Sequence, residues 1–343
     1  MITPRELHTA LPCSAKARDT IAQTRQSFVN ILQKKEDRLV VIVGPCSLHN
    51  AQSALIYAEK LQRKIEQHRD TLCIIMRAYV EKSRTRTGWK GLINDPDLND
   101  TYLLEKGLYQ ARSLLLAMNE LNVPTAAEIV NPLTAPYFID LLSFAAIGAR
   151  ATESQFHREF VSTLTMPVGF KNNTSGNIQV AIDAVETAKN PHRFLGLDLS
   201  GKIADIHAAG NPFCHVILRG AQTHTNFDEK TVQNTTETLR KLNLNARILV
   251  DCSHGNSQSN YQQQMPVLNA LKQQLMTGDR HVFGVMLESH LMPGKQTWHP
   301  DHIMKPDQSI TDACIGWGET ELALDELNIA VQKYRENVVS YMA

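Results

Sequence analysis

The 343-residue chain has no surplus charge: 35 lysines and arginines face 35 aspartates and glutamates, and only 20% of residues are charged. Without a field of one sign, nucleic acids and anionic membranes are not expected partners. No apolar run approaches the roughly 18–20 residues that span a bilayer. The stretch Met1–Lys16 also lacks an apolar core of signal-peptide length, so a cytoplasmic protein is expected. The six cysteines (Cys13, Cys46, Cys73, Cys214, Cys252 and Cys314) include no Cys-x-x-Cys pair, which predicts buried thiols and no disulfide framework. Internal repeats, low-complexity tracts and linkers are missing as well. No glycine-rich fingerprint follows the first apolar run, which removes the main support for an open, doubly wound sheet.

What the chain does have is a recurring unit. Arg38 to Cys46 is an unalternated apolar run ending in Gly-Pro-Cys, the pattern of a strand buried on both faces. Seven more such runs follow: Leu72–Tyr79, Thr125–Val130, Ala146–Arg150, Pro167–Asn172, His215–Gly220, Arg247–His254 and Val282–His290. Between them, helical periodicity predicts helices over Ala51–His68, Tyr102–Leu121, Ala135–Ala145, Ser154–Leu164, the Ile178–Val185 region, Asp228–Leu242 and Tyr261–Met276, with a last helix over Glu319–Tyr341. Eight strands alternating with about eight helices predict an α/β protein, a (β/α)8 TIM barrel over residues 39–343. Residues 1–38 read as an N-terminal helical extension, with an amphipathic helix from Ala15 to Gln33. Two short runs around Ser200-Gly201, within Arg193–His207, predict an inserted β-hairpin before the sixth strand.

In such a barrel the C-terminal strand ends converge on one face, and active sites sit there. The side chains at those ends are Cys46, Arg77, Glu128, Arg150, Lys171, Arg219, His254 and Glu288. Four are permanent cations, and charges are rarely buried without a partner. A shared phosphate or carboxylate ligand supplies one, and arginine forks match its oxygens. Cys46, His254, Glu288 and Asp312 form a mixed sulfur, nitrogen and oxygen set suited to a borderline first-row divalent ion. Taken singly, Cys46 reads equally as a buried thiol and His254 as a core histidine; their shared place at strand ends favours the metal. His49 and His290 read as loop or supporting groups, Cys252 as packing, and Arg86 and Lys90 as solvated surface.

The motifs Val43-Gly-Pro-Cys-Ser-Leu-His49, Met76-Arg-Ala-Tyr-Val-Glu-Lys-Ser-Arg-Thr85, Gly88-Trp-Lys-Gly-Leu-Ile-Asn-Asp-Pro96, Ala146-Ile-Gly-Ala-Arg150, Pro167-Val-Gly-Phe-Lys-Asn172, Ile217-Leu-Arg-Gly220, Val250-Asp-Cys-Ser-His-Gly-Asn-Ser257 and Ser309-Ile-Thr-Asp-Ala-Cys-Ile315 carry a resemblance. Together they resemble class I 3-deoxy-D-arabino-heptulosonate 7-phosphate (DAHP) synthase, the microbial, feedback-regulated type, from about Pro4 to the last helix. The resemblance implies a metal-dependent condensation of phosphoenolpyruvate with erythrose 4-phosphate, the entry to the shikimate pathway. It implies Cys46, His254, Glu288 and Asp312 as ligands of one divalent ion, Mn2+ first, with Fe2+, Co2+ and Zn2+ as alternatives. It also implies Arg77, Lys82, Arg150, Lys171 and Arg219, the Ala149 backbone and Glu128 around phosphoenolpyruvate. Arg84 and Thr85 would hold the tetrose phosphate, and Lys82 or His254 would move protons.

Three departures lie near the acceptor: Ser83 replaces the family's usual proline, Ala151 a threonine, and Asn173 a glycine. Losing the proline frees φ in the acceptor loop. Two rivals follow: a synthase of the same fold acting on another aldose, such as arabinose 5-phosphate, and a catalytically silent regulatory paralogue. The N-terminal segment is short for the family, and the hairpin region resembles the tyrosine-sensitive subgroup most. Weak or absent feedback inhibition is therefore expected, with tyrosine the favoured effector, in a homodimer or homotetramer.

Overall fold

The computed structural model describes residues 1–299 and 303–342. Eight parallel strands close into a barrel: β1 (Leu39–Gly44), β2 (Leu72–Arg77), β3 (Thr125–Glu128), β4 (Phe144–Ile147), β5 (Val168–Lys171), β8 (Cys214–Leu218), β9 (Ile248–Asp251) and β10 (Val282–Glu288). Outside it, β6 (His192–Leu197) and β7 (Ile203–Ala208) pair antiparallel as the predicted hairpin before the sixth barrel strand.

The unalternated runs make sense because both strand faces are dry. In β1, Leu39, Val41 and Val43 pack outward into the large core shared with the helices, while Val40 and Ile42 pack into a second cluster inside the barrel. The surrounding helices contribute apolar stripes. In α3 (Ala51–His68) the buried positions Ala54, Tyr57, Ala58 and Leu61 recur at helical spacing, and the Asn50 side chain caps the start by accepting from the Ser53 N–H. The remaining helices are α1 (Pro4–Ala10), α2 (Ala15–Leu32), α4 (Leu104–Glu120), α5 (Gln155–Ser162), α6 (Gln179–Lys189), α7 (Glu229–Lys241), α8 (Gln264–Met276) and α9 (Trp317–Met342). Among the described residues no helix is long and apolar enough to cross a membrane, and all six cysteines are free.

Helix α2 closes one mouth of the barrel. Phe28, Ile31 and Leu32 of α2 join the interior cluster, with Phe28 stacked on Phe144 at 5.3 Å and edge-on to Phe283 at 5.5 Å. His215 lies among those three rings at 5.1–5.7 Å, and its Nε2 has no hydrogen-bond partner. Burial lowers its pKa to about 4 from an ordinary 6.5. The unfolded chain therefore takes up a proton between pH 6.5 and 4 that the folded one refuses. This contribution is intact above pH 6.5 and is lost as pH falls toward 4, amounting to about 3 kcal/mol. Urea unfolding across that range is expected to show His215→Leu flattening the acid slope; an unchanged slope would contradict the reading.

One predicted element is corrected. Ala135–Ala145 is not an α-helix; it forms two single 3-10 turns, Ala135–Tyr137 and Ile139–Leu141, and the strand starts at Phe144 and ends at Ile147, short of Arg150. The carbonyls that a helix would use internally are taken from outside. Arg112 donates to the Tyr137 carbonyl, Asn119 and Thr125 donate to that of Leu141, and Arg25 donates to that of Leu142. The seventh barrel strand likewise stops at Asp251, three residues before His254.

Candidate active site

The open mouth is built from the C-terminal strand ends. At the end of β1, Gly44 has φ +150°, and a Cβ there would stand 2.9 Å from the Arg77 carbonyl. Glycine thus lets β1 press against the end of β2, and Cys46 follows after the proline. Cys46 is fully buried, and its Sγ, a Glu288 oxygen and an Asp312 oxygen all lie within 4.8 Å of one another. The Lys82 ammonium sits among them, 2.7 Å from the Cys46 Sγ and 3.0 Å from the Asp312 Oδ2. Burial, reinforced by Glu288, pushes the Cys46 thiol well above its usual range. Lys82 holds Asp312 below the normal carboxylate range.

His254 joins from one side. Its Nε2 is 3.7 Å from the Glu288 Oε1, while its Nδ1 lies 2.9 Å from the Asp251 Oδ2. The residue has φ +56°, a left-handed conformation uncommon for anything but glycine. His254 is outside the tight three-donor group, but the Asp251 carboxylate and the Ser253 hydroxyl, 2.7 Å from Nδ1, hold its ring with Nε2 toward that group, as a carboxylate does behind a ligating histidine. Burial opposes the Asp251 charge, yet Lys171, His254 and Arg77 outweigh it and hold its pKa well below normal.

The strand-end cations divide in two. Arg77 is fully buried beneath the cavity, 3.1 Å from Glu288 and 4.0 Å above the Tyr79 ring. Lys171 is paired with Asp251 at 2.7 Å. Each of these two has a carboxylate beside it, so its charge is already balanced within the protein. Arg150 and Arg219 differ: the Arg150 Nε donates to the Thr85 Oγ1 at 2.7 Å, and the Arg219 Nη1 donates only to the neighbouring Gly220 carbonyl. Among the described residues no carboxylate forms a salt bridge with Arg84, Arg150 or Arg219.

These groups surround a cavity of about 410 Å³ lined by Lys82, Arg84, Thr85, Glu128, Ala149, Arg150, Lys171, Arg219, His254, Glu288 and Asp312. Cys46 and Arg77 lie behind this lining. Glu128 is held where Gly148 leaves room, for a Cβ at Gly148 would stand 2.2 Å from its Oε1. His49 and His290 are buried with rings 5.8 Å apart, Cys252 packs in the outer core, and Arg86 and Lys90 are exposed. Asp251 escaped the sequence reading, although a carboxylate at a strand end three residues before His254 was its visible signal.

A set of donors facing a cationic pocket on a (β/α)8 barrel has relatives. Residues 14–325 match the model of the DAHP synthetase I family. The chain belongs to that family. It is 43% identical over 335 residues to an Escherichia coli protein named "Phospho-2-dehydro-3-deoxyheptonate aldolase, Phe-sensitive", covering 98% of this chain and 95% of the relative. It is 42% identical over 331 residues to a tyrosine-inhibited aldolase of that name from Schizosaccharomyces pombe, covering 95% and 89%. The solved structure of the Francisella tularensis phospho-2-dehydro-3-deoxyheptonate aldolase superposes with a TM-score of 0.95 at 40% identity, covering 97% of both chains. Membership in the family joins the barrel and its cation-lined mouth to one class of chemistry.

Proposed function

We propose that this chain condenses phosphoenolpyruvate with erythrose 4-phosphate and water, giving 3-deoxy-D-arabino-heptulosonate 7-phosphate and phosphate, the first step of the shikimate pathway. The observation that carries it is the pairing, at one cavity, of two carboxylates backed by a buried thiol with three arginines that form no salt bridge among the described residues. Cys46, Glu288, Asp312 and His254 would hold one divalent ion, with Mn2+ first and Fe2+, Co2+ or Zn2+ as alternatives. The donor set fits a borderline cation, and it already draws the Lys82 ammonium into its midst. When bound, the metal supplies a Lewis acid for the aldehyde oxygen.

The side chains do the rest. Arg150, Lys171 and Arg219, with Lys82, Arg77, the Ala149 backbone and Glu128, hold phosphoenolpyruvate, and Arg84 and Thr85 hold the tetrose phosphate. The hydrogen bond from Arg150 to Thr85 couples the two ends, which fixes the separation of the reacting carbons. The vinyl carbon attacks the aldehyde, water adds at the second carbon of phosphoenolpyruvate, and the hemiketal loses phosphate by C–O cleavage. Lys82 and His254 are the two groups placed to move protons.

Removing a charge-assisted phosphate contact costs about 1.5–3 kcal/mol, roughly 10–100-fold. Arg84→Ala is thus expected to raise the KM for erythrose 4-phosphate by that factor while leaving the KM for phosphoenolpyruvate within about twofold; equal losses for both substrates would contradict the division of the pocket. Acceptor identity is tested by phosphate release with erythrose 4-phosphate and arabinose 5-phosphate side by side. Faster turnover with the pentose would overturn the reading, and no turnover with either in the presence of metal would favour a silent paralogue.

The proposal extends to a cytoplasmic homodimer or homotetramer, with residues 1–38 as an extension to a catalytic barrel of 39–343. It also includes feedback inhibition by an aromatic amino acid, with tyrosine favoured over phenylalanine. Support for tyrosine comes from the hairpin segment; the relatives, named for both amino acids at similar identity, favour neither. Strong inhibition by micromolar phenylalanine would contradict it.

A further inference from the structure

We propose that Gln264 is a positioning residue: its carboxamide clamps the backbone of Glu288 and so aims the Glu288 carboxylate at the cavity. The inference rests on the reading of Glu288 as a metal ligand.

Strand β10 loses its neighbour just where Glu288 begins. On the β9 side the last backbone pairing joins Met286 to Asp251, and the final bond runs from the Cys252 N–H to the Met286 carbonyl. The chain then turns away through His254, whose left-handed backbone carries it toward the cavity. On that side the Glu288 peptide would be left without a strand to pair with.

Gln264 replaces the missing strand. It is the first residue of α8 and is fully buried, while its neighbours Gln262 and Gln263 are exposed. Its Oε1 accepts from the Glu288 N–H at 2.8 Å, and its Nε2 donates to the Glu288 carbonyl at 3.0 Å. One carboxamide thus makes both bonds that a neighbouring peptide would make. The carbonyl has a second donor in the Ile315 N–H, but the Gln264 oxygen is the acceptor found for the Glu288 N–H. Only a side chain with a donor and an acceptor at glutamine's reach does both jobs: methionine offers no donor and only a weak acceptor, and an ionised glutamate offers only acceptors.

The consequence is directional. With its backbone held on this side by Gln264 and on the other by β1, where Glu288 pairs with Gly44, the Cα–Cβ bond of Glu288 has one direction. Its carboxylate then stands 3.1 Å from Arg77 and 3.7 Å from the His254 Nε2. Residues that orient a ligand without touching the metal typically change affinity by about 10–100-fold.

The test is manganese(II) binding to chelator-stripped protein by titration calorimetry. Wild type is compared with Gln264→Met and Gln264→Glu, and with Gln263→Met as the exposed neighbour control. Each Gln264 variant is expected to bind manganese about 10–100-fold more weakly. At saturating manganese the KM for phosphoenolpyruvate is expected to stay within about twofold of wild type, and the control variant to match wild type. Either Gln264 variant folding and binding manganese as wild type does would overturn the clamp. A wild type that binds no manganese would instead overturn the metal-site reading beneath it.

Discussion

Cys46→Ala is expected to lower kcat by about 10²–10³-fold even at high manganese, the scale seen when one group stabilising a developing charge is removed. A buried cysteine with no further role is a small apolar group, and truncating it costs little more than the contacts of one sulfur atom. Cys46 does not sit in such surroundings: its Sγ faces the Lys82 ammonium at 2.7 Å and the Asp312 carboxylate at 3.4 Å, with Glu288 in the same group. Without a metal, burial and the two carboxylates keep it a thiol. Binding a divalent ion requires the thiolate, so proton release on metal binding is part of the same expectation. Steady-state turnover together with calorimetric metal titration checks it. A Cys46→Ala enzyme that keeps wild-type metal affinity and turnover would return Cys46 to the status of a core thiol.

Asp251→Asn is the second large effect, and it reaches both stability and activity. The substitution keeps the shape of the side chain and removes its charge, leaving the Lys171 ammonium buried without the carboxylate now 2.7 Å away. Breaking a buried pair from one side costs about 3–5 kcal/mol. An amide also cannot reproduce the anionic acceptor that faces the His254 Nδ1 at 2.9 Å, so the ring loses its charged partner and keeps only the Ser253 hydroxyl at 2.7 Å. Metal affinity or turnover is expected to fall by about 10–100-fold beyond the stability loss. Denaturant unfolding of the metal-free protein separates the two effects. A variant as stable as wild type would show that Lys171 does not depend on Asp251.

The barrel was legible in the sequence because its physics is local. Runs such as Leu39–Gly44 and Leu72–Arg77 need apolar side chains on both faces, and that leaves no alternation to misread. The strand-end rule then gathers Glu128, Arg150, Lys171, Arg219, His254 and Glu288 around one cavity from positions scattered over the chain. The Ala135–Ala145 segment was not legible, because Arg25, Arg112, Asn119 and Thr125 decide it from elsewhere by taking its carbonyls. The pairing of charges was hidden for the same reason. Sequence gives each cation a sign but not a partner, so it does not show that Glu288 and Asp251 stand beside Arg77 and Lys171. The clamp on Glu288 is the far end of this scale, an amide 24 residues away whose role depends on where a neighbouring strand stops.

Metal dependence is decided by turnover of phosphoenolpyruvate with erythrose 4-phosphate by chelator-stripped protein, before and after adding one equivalent of manganese(II). No phosphate release is expected from the stripped protein, with restoration near one metal ion per chain and consumption of phosphoenolpyruvate matching the phosphate formed. Full turnover in the presence of chelator, or none with manganese bound, would contradict it.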